Sequence, residues 1–101
     1  MQYTRISTYD VTNGTFPELT GLVENGILPM LAKEPGFVNY GLVDAGNQKV
    51  MAISIWETRE QAQDSARSAG AWVKEHIADR VRLGTTVIGE LALFRGAPVS
   101  A

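Results

Sequence analysis

The chain has 101 residues, enough for one domain, and its apolar and charged fractions of 45% and 20% are those of an ordinary globular protein. Nine basic residues against eleven acidic ones leave a net charge of −2, so there is no basic excess to grip a phosphate backbone, and nucleic acid is not expected as a partner. The lack of cysteine removes disulfides and thiolate metal sites, and a lone histidine, His76, is too few for structural zinc, so no metal is expected and the cytoplasm is the expected compartment. No stretch approaches the ~20 apolar residues of a membrane span, so no membrane partner is expected either.

Residues 2–10 read as a strand, because Tyr3, Thr4, Ile6, Thr8 and Tyr9 are aromatic or β-branched. Alternation puts Tyr3, Arg5, Ser7 and Tyr9 on one face and Thr4, Ile6 and Thr8 on the other. The polar character of both faces suits a pocket wall. Asn13-Gly14 is a turn, and Thr15-Phe16-Pro17-Glu18 has the form of a capping box with Pro17 in the first helical turn. Phe16, Leu19, Leu22, Val23, Ile27, Met30 and Leu31 then recur at helical spacing, which predicts a helix over 16–33. Pro29, just after Gly26, conflicts with a straight helix and predicts a kink or two helical pieces between those residues.

Pro35-Gly36 ends the helix. A strand over 37–43 follows, with Phe37, Asn39, Gly41 and Val43 on one face and Val38, Tyr40 and Leu42 on the other. Ala45-Gly46-Asn47 reads as a hairpin turn into a nearly continuous apolar strand over 49–57. Thr58-Arg59-Glu60-Gln61 is a second capping box, opening a helix over 59–81 whose stripe is Ala62, Ala66, Ala69, Val73 and Ile77. Trp72 and His76 lie four apart on its edge, within contact distance. Leu83-Gly84-Thr85 reads as a turn, 87–94 as the last strand, and 96–101 as a tail beyond a single domain of residues 1–95.

The order β-α-β-β-α-β is that of an α+β, ferredoxin-like fold: a four-stranded antiparallel sheet with two helices on one face. The third strand is apolar on both sides, with Met51, Ile53 and Ile55 alternating with Val50, Ala52 and Trp56. Its second face must be buried, and a homodimer joined sheet to sheet is the expected solution.

Three segments carry a family resemblance over about residues 2–95: Leu28-Pro29-Met30-Leu31 followed by Pro35-Gly36-Phe37, then Ile53-Ser54-Ile55-Trp56-Glu57, then Arg59-Glu60-Gln61-Ala62. With them the chain resembles the dimeric α+β barrel superfamily, and within it the antibiotic biosynthesis monooxygenase-like family. The resemblance implies a dimeric α+β barrel. It also implies relatives that include cofactor-independent oxygenases of aromatic polyketide quinols and haem-degrading monooxygenases. The polyketide oxygenases carry an Asn, a Tyr and an Arg where this chain has Ala52, Ala62 and a residue near His76, and only Trp56 is kept. The haem degraders carry a strand Asn and a helix Trp where this chain has Ser7 and Ser65, and a ligand His close to His76.

The function so implied is a monooxygenase-like oxidoreductase without a cofactor. It would hold a small flat phenol or quinol between sheet and helices. His76 is the candidate proton acceptor. Trp56 and Trp72 are candidate ring-stacking walls, and Asn39 and Tyr40 candidate orienting donors. Arg80, four residues beyond His76, adds a cation to the same candidate site. The alternatives are a non-catalytic dimer that binds a small molecule, and a haem-binding or haem-degrading protein with His76 as axial ligand. A cavity of roughly 300 Å3 or more with His76 facing it would favour a substrate, and a closed space would favour the binding dimer.

Overall fold

The computed structural model describes residues 1–96; the greater part of the expected tail, 97–101, lies outside the described residues. Four strands, β1 (Tyr3–Val11), β2 (Phe37–Gly46), β3 (Lys49–Trp56) and β4 (Val81–Glu90), form one antiparallel sheet in the order β2-β3-β1-β4. The first helical stretch is α1 (Phe16–Leu22), a π-helical turn (Val23–Ile27) and α2 (Leu28–Ala32); the second is α3 (Arg59–His76). This is the α+β ferredoxin-like arrangement expected from the element order. No helix is long and apolar enough to cross a membrane.

Local chemistry sets the helix starts. Thr15 accepts from the Glu18 amide at 3.3 Å. Thr58 and Gln61 form the full reciprocal box, at 3.1 Å and 3.0 Å. Gly36, at φ +81°, has the Gln61 side chain where a Cβ would stand, which ties this turn to the start of α3. The hairpin turns at Asn47 and Gln48, both at positive φ, with Gly46 still in β2.

The two helical pieces expected around Gly26 and Pro29 are joined by the π turn: the Leu28 amide reaches back five residues to Val23, and Pro29 enters at the start of α2, where its missing N–H costs little. Three local expectations are corrected. The second helix ends at His76 rather than at 81, because the Ile77 carbonyl turns to accept from the Arg80 and Val81 amides, and Val81 opens β4. Leu83-Gly84-Thr85 is not a turn: Gly84 is the extra residue of a bulge, with Thr8 opposite Thr85 and Tyr9 opposite Leu83. A bulge at Val38 likewise breaks the expected alternation of β2, so Phe37 pairs with Trp56 while Asn39 pairs with Ile55 on the opposite face.

The helices cover the face bearing Tyr9, Val11, Val50, Ala52 and Trp56, which pack with Leu19, Val23, Ile27, Leu31, Ala62 and Ala69 into the core. No helix covers the other face, which carries Ile6, Met51, Ile53 and Val87.

Candidate functional site

Strand alternation points Arg5, Ser7 and Tyr9 at the helices, and Arg5 is 1% exposed. Its guanidinium is held on two sides. Nε donates to Ser65 Oγ and Nη1 to Ser7 Oγ, each at 2.9 Å. Ser65 Oγ in turn donates to the Ala62 carbonyl at 2.7 Å, and Ser7 Oγ lies 3.1 Å from Thr86 Oγ1. The remaining nitrogen, Nη2, is buried with no partner; among the described residues it is the one buried side-chain nitrogen or oxygen so placed. No carboxylate among the described residues pairs with Arg5; the ion pairs lie on Asp10, Asp64 and Glu18. Burial lowers the Arg5 pKa from its usual value, yet a guanidinium keeps its proton at any physiological pH.

Arg5 lines a cavity of about 30 Å3 between the sheet and the helices, with Tyr9 and Tyr40 on the sheet side and Val23, Ile27 and Trp72 on the helix side. That is room for a water molecule and little else. Burial pushes the Tyr40 phenol up to about 12 and that of Tyr9 upward, so both are neutral hydroxyls at pH 7.

A larger groove of about 630 Å3 opens on the outside, lined by Glu18, Leu22, Gly26, Trp72, His76 and Arg80. His76 is exposed, and its ring lies 4.9 Å from that of Trp72 at a tilt of 39°. Trp72 and Ile77 line both spaces and stand between them. The indole sits directly on Gly26, where a Cβ would fall 2.2 Å from Trp72 Cζ2. Arg80 Nη1 reaches Glu18 Oε2 at 3.4 Å across the groove.

The structure therefore divides the six candidate residues. Tyr40 and Trp72 line the inner cavity, and Trp72, His76 and Arg80 line the groove. Trp56 lines neither: it is fully buried, donates from Nε1 to Ser54 Oγ at 2.8 Å, and meets Phe37 edge to face at 5.5 Å. Asn39 is exposed on the face away from the helices. The space between sheet and helices is well below the volume expected of a preformed pocket, and His76 lines the outer groove instead. Sequence reasoning put Arg5 on a pocket wall but passed over it as a candidate. The signal was present: Arg5 shares the parity of Tyr9 and Val11, so whatever covers those residues covers Arg5 too. Ser7 and Ser65, which stand where haem degraders are expected to carry Asn and Trp, are the side chains that hold its guanidinium.

No family model matches the chain, and no curated protein matches it. Solved structures do. SnoaB, a cofactor-independent oxygenase from Streptomyces nogalater, superposes with a TM-score of 0.72 at 14% identity over 92% of this chain and 95% of that one. The haem-degrading protein Rv3592 from Mycobacterium tuberculosis gives 0.65 at 22% identity, over 95% and 100%. MupZ from Pseudomonas fluorescens gives 0.71 at 9% identity, over 86% and 69%. At these identities the likeness shows the fold alone: the α+β ferredoxin-like arrangement of this chain is the one these proteins carry.

Proposed function

We propose that this chain, which carries the antibiotic biosynthesis monooxygenase-like fold, is a cofactor-independent oxygenase of small flat phenols or quinols. The observation that supports the reading is the position of Trp72. Its indole, with Ile77, stands between a small inner cavity lined by Tyr40 and an open groove lined by His76. The inner cavity at rest is far below the roughly 300 Å3 that would mark a preformed pocket, so the reading requires Trp72 to move: displacing that ring joins the two spaces into a slot running from the imidazole to the sheet. A flat substrate slides in past Trp72, with its hydroxyl toward the polar groups on the sheet and its ring between apolar side chains.

The chemistry then belongs largely to the substrate. His76 accepts a proton from the activated position, and the resulting electron-rich anion reduces dioxygen. In the oxidation of an activated methylene to a carbonyl, one oxygen atom enters the product and the other leaves as water. The protein supplies orientation, a proton acceptor and a space from which bulk water is excluded. Two copies of the chain pack their uncovered sheet faces together, burying Ile6, Met51, Ile53 and Val87. The test is oxygen uptake with a panel of anthrone-type and quinol substrates. Turnover that is lost in His76→Ala, with circular dichroism unchanged, is the expected result; no turnover with any of the panel removes the oxygenase reading and leaves a non-catalytic ligand-binding dimer.

A second reading is favoured by the exposure of His76 on the large groove. There His76 would hold a haem, with Trp72, Leu22 and Arg80 lining the same groove. Bound haem would supply the redox chemistry of its iron. Hemin titration without a Soret shift disposes of this reading.

A further inference from the structure

We propose that Arg5 is an oxyanion-binding residue: its free Nη2 receives the single anionic oxygen of a phenolate-type ligand in the cavity between sheet and helices. The inference deepens the oxygenase reading and rests on it for one point, that the ligand is a substrate.

Three observations carry it. First, the guanidinium is buried without a carboxylate partner among the described residues, although a buried charge is ordinarily paired. An aliphatic side chain of similar length would fill the same volume without that penalty. Second, the serines fix which part of the guanidinium is available. Ser65 occupies Nε and Ser7 occupies Nη1, each at 2.9 Å, so the planar group cannot turn and only Nη2 lacks a partner. Nη2 is thus the nitrogen left to meet a ligand. Third, the lining of the cavity suits a phenolate-type ligand, which the space admits only once Trp72 moves aside as the oxygenase reading requires. Its walls are the apolar side chains Val23, Ile27 and Trp72, with Tyr9 and Tyr40 lining the same space. A ligand that is apolar apart from one oxyanion leaves no other charge to be solvated there.

This arrangement also gives Arg5 a role in the chemistry. An electron-rich aromatic anion is the species that reacts with dioxygen, and a fixed cation at its oxygen holds more of the ligand in that form.

The test uses para-nitrophenol and its neutral methyl ether, para-nitroanisole, which has nearly the same shape. The full chain is expected to bind the phenolate at least about tenfold more tightly than the ether, as one charge-assisted hydrogen bond requires. Bound nitrophenol should turn yellow at a lower pH than the free compound. Arg5→Met should fold, lose the preference for the phenolate and lose the colour shift. Should that variant fail to fold, the guanidinium resonances of Arg5 in the unaltered protein serve instead: they should move on adding nitrophenolate and stay in place on adding nitroanisole. Equal affinity for the two probes, binding of neither, a colour shift kept in Arg5→Met, or resonances that ignore nitrophenolate would each overturn the proposal. Phenolate binding without oxygen uptake on the quinol panel would remove the oxygenase reading and leave the role of Arg5 standing. Oxygen uptake with unchanged kcat and KM in Arg5→Met would do the reverse.

Discussion

Arg5 on β1 and Ser65 on α3 meet across the sheet–helix interface, the Nε of one donating to the Oγ of the other at 2.9 Å. Both side chains are almost fully buried, and the Ser65 hydroxyl itself donates to the Ala62 carbonyl at 2.7 Å. The helix thus supplies a polar anchor in the middle of an otherwise alanine-lined face. Replacing Ser65 with Ala should leave a second guanidinium nitrogen buried and unpartnered, at a cost of about 1–3 kcal/mol. Urea unfolding measures it; a midpoint unchanged from that of the original chain would mean that water takes over the contact.

Tyr40 makes stability fall at high pH. Its folded pKa of about 12 lies above its ordinary value of 10.0, because burial disfavours the phenolate. The unfolded chain therefore loses this proton first as the pH rises. The contribution of Tyr40 is fully present below pH 10 and is lost between pH 10 and pH 12, amounting to about 2–3 kcal/mol at the upper end. Tyr9 shifts in the same direction and adds to the slope. Tyr40→Phe should flatten the unfolding midpoint over that window, and a slope unaffected by the substitution would contradict the burial of this phenol.

Gly26 and Gly21 lie in the same helical stretch and should respond oppositely to alanine. At Gly26 the added Cβ falls 2.2 Å from Trp72 Cζ2, so the indole must move, at a cost of about 1–3 kcal/mol and with a change in tryptophan fluorescence. At Gly21 nothing lies within 4 Å, and alanine in a helix should stabilise by about 0.5–1 kcal/mol. Thermal unfolding of the two variants makes the comparison, and equal effects would mean that Trp72 does not rest on Gly26.

Ile53 lies on the sheet face that no helix covers, beside Ile6 on the adjacent strand. The unaltered chain should sediment as a dimer, and Ile53→Glu as a monomer with native circular dichroism, because two buried carboxylates would face each other across the interface. A monomer before substitution would remove the sheet-to-sheet account.

The element order was legible because its punctuation is local. Thr15 with Glu18 and Thr58 with Gln61 mark the helix starts, and both caps form. What sequence could not resolve turns on single-residue insertions. The bulge at Val38 reverses the parity of the strand before it, which separates Phe37 from Asn39 and brings Phe37 to Trp56. The bulge at Gly84 extends β4 through an apparent turn. Alternation rules assume an unbroken period of two, so one extra residue exchanges the faces. Of the candidate residues read from the sequence, Trp72 and Tyr40 reach the inner cavity. Arg5 was harder, because a charged residue is expected to seek solvent, and only the cover of α3 over β1 shows that it does not.

The account depends most on a ligand entering between sheet and helices by moving Trp72. A crystal structure with a redox-inert flat phenol bound tests this directly. The account predicts the ring seated between the Tyr40 side of the sheet and the helices, the Trp72 indole displaced from Gly26, and the two spaces joined. A ligand found only in the outer groove, with Trp72 still resting on Gly26 and the inner cavity still about 30 Å3, would contradict it.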